Sequence, residues 1–269
     1  MVGRQLDDYF YKSNAQPGDI VLQVENLSDG KTFHDISFNV RKGEVVGLSG
    51  LMGAGRTEIV ETIFGLRKAT EGKIYINGKE VAINSPKDAL KHRVCLVPED
   101  RKTQGLALRM SLSDNMQMVK LQEYANIVGL VNANKGVETF EEYRGKLSIV
   151  CTGPQQKALN LSGGNQQKVV LGKWLSKSPD LLILDEPTRG IDVGSKAQIH
   201  KIIAELAESG LAVLVISSEM PEIIGVSNRV YTIVHGTLSS ELVGDEITEQ
   251  NLIYGITFSE TPRELATNN

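Results

Sequence analysis

The chain has 269 residues, 41% hydrophobic and 23% charged, with a net charge of −4. That length carries one large α/β domain or two small ones with a sizeable core. The mild acidity excludes the basic footprint of a nucleic-acid binder. Apolar runs as short as Ala212–Ile216 exclude a helical membrane span, which needs roughly 18 residues or more. No apolar core opens the sequence, so no secretory leader is expected. Cys95 and Cys151 lack metal spacing. Cys95, in the apolar run Val94 to Val97, is expected to be a buried, reduced thiol suited to a reducing cytosol.

Taken in chain order, residues 1–18 are polar, end in Gln16-Pro17-Gly18 and read as a linker. A strand-rich segment follows from Val21 to Phe38. The run Glu44 to Leu48 then predicts a strand, and Thr57 to Phe64 an amphipathic helix stopped by Gly65. Between them lies Gly50-Leu51-Met52-Gly53-Ala54-Gly55-Arg56-Thr57, the pattern G-x-x-x-x-G-K-[ST] with Arg56 in the lysine position. Its glycines allow a turn in which successive N–H groups point inward at phosphate oxygens. The helix N-terminus adds partial positive charge. Read alone, the pattern also fits a glycine-rich strand-to-helix turn with no ligand.

Lys73 to Val81 alternates around Asn77-Gly78 and predicts a hairpin, and Arg93 to Val97 a core strand. The charge run Glu99-Asp100-Arg101-Lys102 fits a solvated loop as well as a functional one. Residues from about 103 to 176 read as mostly helical, with a helix over Glu138 to Leu147. Ser162, Gly163 and Gly164 open another, Ser162 as its N-cap and Val169, Val170 and Leu175 on its apolar face. Leu181 to Leu184 is fully apolar, as in a parallel sheet covered on both faces. It ends in Asp185 and Glu186, and Pro187 bars its continuation. Lys196 to Glu208 predicts a helix, Ala212 to Ile216 a strand, and Arg229 to Leu238 a hairpin around His235-Gly236. His34, His92, His200 and His235 share no spacing and are expected at the surface or in loops. The tail after Thr257 is polar.

The motifs GLMGAGRT (50–57), VPEDRK (97–102), LSGGNQQK (161–168), LDEPTRGID (184–192) and ISSE (216–219) together resemble the ATP-binding cassettes of ABC transporters. More narrowly, the chain is similar to the second of two cassettes fused in bacterial monosaccharide importer ATPases. The likeness runs from about Val21 to Thr257. It implies an α/β phosphate-loop NTPase with a RecA-like parallel-sheet core, an antiparallel β subdomain and a helical insertion at about 103–176. The cassette would span 19–257, behind an inter-cassette linker at 1–18 and ahead of a flexible tail at 258–269. The opening MVGR resembles the connector of the fused importers, which implies a chain corresponding to the second half of a longer protein.

The same resemblance implies ATP and Mg²⁺ as ligands. Gly50, Leu51, Met52, Gly53, Ala54, Gly55, Arg56, Thr57 and Glu58 would wrap the phosphates. Thr57, Asp185 and Glu99 would meet the metal, and Glu186 would act as general base or water positioner. Leu161, Ser162, Gly163, Gly164, Asn165 and Gln166 would cross a head-to-tail dimer to the nucleotide on a companion cassette, with Asp192 along that interface. The implied partners are this companion, transmembrane permease subunits near the VPEDRK surface and, indirectly, a sugar-binding protein, but no nucleic acid. The implied location is the cytoplasmic face of the bacterial membrane, peripheral, with the isolated chain soluble.

Three positions depart from the family pattern. Arg56 replaces Lys, exchanging a compact ammonium for a planar fork. Glu99 stands where a Gln touches metal and water. Ser218 stands where a γ-phosphate-sensing His sits, and a hydroxyl supplies no imidazolium charge. All three touch the γ-phosphate or its metal. Two readings follow: an ATP hydrolase, or a degenerate nucleotide-binding module whose LSGGN segment activates its companion. For adenine no clear aromatic platform is evident; Phe33 is a weak candidate and fits core better.

Overall fold

The computed structural model describes residues 11–126 and 129–257. Ten strands and nine α-helices are described, with further single turns between them. The strands are β1 (Ile20–Ser28), β2 (Ile36–Arg41), β3 (Val45–Gly50), β4 (Glu71–Ile76), β5 (Lys79–Val81), β6 (Val94–Val97), β7 (Leu181–Asp185), β8 (Ala212–Ile216), β9 (Arg229–Val234) and β10 (Thr237–Val243). The helices are α1 (Arg56–Ile63), α2 (Pro86–Lys91), α3 (Leu112–Gln117), α4 (Leu121–Tyr124), α5 (Ala133–Lys146), α6 (Gly163–Leu175), α7 (Val193–Glu208), α8 (Met220–Val226) and α9 (Glu249–Thr257).

The central sheet has the order β10-β9-β3-β8-β7-β6, parallel except where β10 turns back on β9. Its strands are apolar on both sides because both faces are covered. Along β7, Leu182 and Leu184 join one core cluster while Leu181 and Ile183 join the other. Val213 and Val215 of β8 split from Ala212, Leu214 and Ile216 in the same way. This is the period-2 alternation of a strand read out as two buried layers. One layer is closed by α6, α7 and the helical segment, through Leu112, Met116, Phe140 and Leu171. The other is closed by α1 and the second sheet, which has the antiparallel order β2-β1-β4-β5.

Short-range turn chemistry explains both hairpins. Asn77 and Gly78 both adopt positive φ between β4 and β5, as do His235 and Gly236 between β9 and β10, which matches the twist of paired antiparallel strands. Gly236 is also required by contact, since a Cβ there would lie 2.2 Å from the Thr32 carbonyl. Arg229 knits the two sheets: its guanidinium reaches both Glu44 oxygens at 2.8 Å, Glu241 at 2.9 Å and the Asn39 carbonyl at 2.9 Å.

Some expectations need correction or relocation. His200 is neither surface nor loop: it is 2% exposed on α7, with Nε2 2.8 Å from the equally buried Glu222 of α8. Phe33 is fully buried core. The linker expected over residues 1–18 falls partly outside the described residues. Its described end lies against the domain, with Ser13 buried and its carbonyl accepting from Asn228. The tail expected at 258–269 lies outside the described residues. Cys95 is buried, and desolvation pushes its thiol up to about 12. Among the described residues no helix is long and apolar enough to cross a membrane.

Candidate functional site

Strands β3, β7 and β8 run parallel, so their C-terminal ends share one edge, where open α/β sheets place ligands. From β3 the chain enters the glycine loop. Gly53 and Gly55 hold φ of 79° and 99°, left-handed values that side chains with a Cβ resist. Gly50 is pinned by proximity, since a Cβ would meet the Ile233 carbonyl at 2.7 Å. Leu51 and Met52 at the loop's tip are exposed, Ala54 is buried, and α1 begins at Arg56 with Glu58 in its first turn.

Arg56 is 8% exposed, and its Nη1 donates to the Ser217 carbonyl at 2.8 Å. Burial lowers its pKa, opposed by the carboxylates of Glu186, Asp185 and Glu58. The guanidinium is therefore anchored to the end of β8 and faces the carboxylates that end β7.

Asp185 is 3% exposed, and burial raises its pKa to about 6 against the pull of the Thr57 hydroxyl and of Arg56. Its Oδ1 is buried without a hydrogen-bond partner. A buried acceptor beside a hydroxyl, left unpaired, fits a divalent cation. Among the described residues no group of three His, Cys, Asp or Glu side chains forms a metal cage, so such a cation would need ligand oxygens from a phosphate as well. Thr57 and Asp185 are the side chains the fold brings together there.

Glu186 holds φ of 48°, a left-handed conformation that costs a non-glycine residue about 1 kcal/mol or more. Hydrogen bonds from its N–H to the Ile216 carbonyl (2.9 Å) and from Arg189 N–H to its own carbonyl (3.1 Å) enforce the bend. The Ser218 hydroxyl donates to Glu186 Oε2 at 3.1 Å, while burial raises the carboxyl pKa overall. Glu99 is engaged by the Arg189 guanidinium in an ion pair.

The Ser162 turn stands on a separate framework. Ser162 caps α6, accepting from the Asn165 backbone N–H at 3.4 Å and from its side-chain amide at 3.0 Å. Ser162 is exposed, Asn165 half-buried with its Oδ1 accepting from Val150, and Leu161 buried. Gln166 is turned inward, 5% exposed, with Nε2 on the Ala158 carbonyl. A Cβ on Gly164 would lie 2.2 Å from Ser195 Oγ, so α6 starts hard against α7. Asp192 caps α7 through Ser195 N–H at 3.0 Å and Ser195 Oγ at 2.7 Å.

Two features escape sequence reasoning. Arg101 is 8% exposed within a π-helical turn, Arg101–Gly105, and binds the carbonyls of Arg189 and Gly190. The buried Lys173 of α6 donates to the carbonyl of Gly105. In the sequence Arg101 reads as part of a charge run that fits a solvated loop or a functional surface, and Lys173 as an ordinary charged position, because a backbone carbonyl that lies far away along the chain leaves no pattern.

A ribose import ATP-binding protein of Clostridium tetani is 44% identical over 96% of this chain and 52% of its own length. A galactose/methyl galactoside import ATP-binding protein of the same organism is 45% identical over 94% of this chain and 51% of its length. The chain thus spans about half the length of the curated relatives it matches. Among solved structures, a nucleotide-free ATP-binding cassette from an ABC transporter superposes with a TM-score of 0.74 at 22% identity, covering 87% of this chain and 95% of that one. An ATP-binding cassette described as a dimer in a post-hydrolysis state with ADP and phosphate gives 0.68 at 20% identity, covering 82% and 98%. With residues 33–189 matching that family, the chain belongs to the ABC transporters.

Proposed function

We propose that this chain is one ATP-binding cassette of a bacterial monosaccharide importer, coupling ATP binding and hydrolysis to uptake through a membrane permease. The observation that carries the reading is the unpartnered Asp185 Oδ1 beside the Thr57 hydroxyl, at the end of a glycine loop that opens α1. Thr57 and Asp185 would hold Mg²⁺ there, which supplies positive charge to the β- and γ-phosphate oxygens when bound. The loop N–H groups and the α1 N-terminus bind the phosphates. Arg56 adds fixed positive charge from the floor of the site. Glu186, oriented by Ser218 and with its proton affinity raised, takes a proton from a water aimed at the γ-phosphate. The sugar class rests on relatives described as ribose and galactose import proteins.

The Ser162-Gly163-Gly164 turn and Asp192 are assigned to a companion cassette bound head-to-tail; pairing of cassettes is supported by the dimer described for one structural neighbour. Permease subunits, an indirectly coupled sugar-binding protein and a peripheral place on the cytoplasmic face of the membrane belong to the same reading.

Geometry favours weak hydrolysis at this chain's own site. Arg56 is bound to Ser217, Glu99 is engaged by Arg189, and Ser218 brings no cation. On this second reading the bound ATP clamps the dimer while the Ser162 turn activates the companion. In the assembled importer, Glu186→Gln should leave most ATP turnover, and Ser162→Arg should remove about tenfold or more. Loss of turnover with Glu186→Gln beside an intact companion site would make this site the hydrolytic one. Full turnover in both variants would defeat the cassette reading itself.

A further inference from the structure

We propose that Arg101 is a positioning residue that locks the loop after Glu186 to the Ser162-Gly163-Gly164 turn, so that the two half-sites of one cassette shift together. The inference rests on the roles given above for those two segments.

The guanidinium of Arg101 donates through Nη1 to the Arg189 carbonyl at 2.6 Å and through Nη2 to the Gly190 carbonyl at 2.8 Å. Two consecutive carbonyls are thus read by one planar fork, a geometry that a lysine ammonium does not reproduce. These carbonyls belong to the turn that carries Glu186, since Arg189 N–H is bonded to the Glu186 carbonyl. The other side of the fork lies against Gly163. A Cβ there would come 2.9 Å from Arg101 Nη2 and 3.3 Å from the Gly190 carbonyl. Glycine at 163 therefore gives the guanidinium room to touch both segments.

The base of the device is also tied to α6. Asp100 accepts from the N–H groups of Lys102 and Thr103, shaping the turn that presents Arg101. At its far end the Gly105 carbonyl takes the buried Lys173 ammonium. The 100–105 segment thus meets α6 at Gly163, its first residue, and again at Lys173 near its other end. Outside it, Glu99 pairs with Arg189 and closes the bracket. Arg101 Nε is buried with no partner, a cost that points to placement rather than to stability as what the contact supplies.

The test uses Arg101→Met, which keeps the apolar stem, and Arg101→Lys, which keeps the charge. Backbone hydrogen exchange is followed at residues 162–166 and 188–192 of the chain. ATP turnover is followed in the assembled importer with both cassettes otherwise unchanged. Arg101→Met should raise exchange in both segments, with the remainder of the domain unchanged. It should also lower kcat by about tenfold or more while KM for ATP stays within about twofold, as expected for misplacement rather than lost binding. Arg101→Lys should fall between. Faster exchange at 188–192 alone, or unchanged kcat per folded complex, would overturn the coupling. An importer with no ATP turnover before the Arg101 change would instead defeat the proposed function, while the exchange measurement would still decide the role of Arg101.

Discussion

Asp185 shows at the scale of one residue how the site is held in readiness. Burial raises its pKa to about 6 from an ordinary 3.8. Between those two values the folded chain binds the proton more tightly than the unfolded chain does. Stability therefore falls as pH rises from about 4 to about 6 and carries a constant penalty of order 3 kcal/mol above that window. Asp185→Asn should remove the penalty: the nucleotide-free chain gains about 1–3 kcal/mol at pH 7.5 and gains little near pH 4. Urea denaturation at the two pH values measures this. The same variant should lose Mg²⁺-dependent binding of a fluorescent ATP analogue, which separates a destabilising but useful carboxylate from a structural one.

At the scale of elements, the joint between the two sheets depends on Arg229 of β9. Glu44, 4% exposed just before β3, meets charge compensation in that guanidinium, which also serves Glu241 and the backbone of β2. Arg229→Met should cost about 3–5 kcal/mol, because it leaves a buried carboxylate unpaired. Adding Glu44→Gln should recover part of that loss, as chemical denaturation of the single and double variants would show. The elements themselves are legible locally. The β4–β5 and β9–β10 hairpins follow from Asn77-Gly78 and His235-Gly236, and the apolar strands β6, β7 and β8 from unbroken runs. The π-helical turn at Arg101–Gly105 is only partly legible: Asp100 caps it locally, but Val170 beside Gly105 and Lys173 on the Gly105 carbonyl come from α6.

At the scale of the molecule, the site built by β3, β7 and β8 and the turn built by α6 rest on different neighbours. Arg56 and Thr57 pack against Ser217 and Asp185, whereas Gly163 and Gly164 pack against Gly190 and Ser195. If each needs a companion cassette to be complete, the isolated chain should be monomeric and nearly inactive. Light scattering combined with a phosphate-release assay checks this, and robust turnover by a demonstrated monomer would overturn it.

The motifs that carry chemistry are visible in the chain because they are contiguous. A glycine loop opening a helix, a Ser-Gly-Gly cap and a strand ending in two carboxylates each need only short-range geometry, so residue order suffices to reveal them. The parallel core was likewise legible, since strands buried on both faces must be apolar throughout. Tertiary structure decided how those pieces are wired. Sequence left open which groups Arg56 and Gln166 bond within the chain and put His200 at the surface or in a loop. The fold instead bonds Arg56 to Ser217, buries Gln166 on Ala158 and pairs His200 with Glu222. Each partner lies on another element and is a backbone carbonyl or a single side chain. Such contacts are chosen by packing after the chain has closed, and residue order carries no record of them.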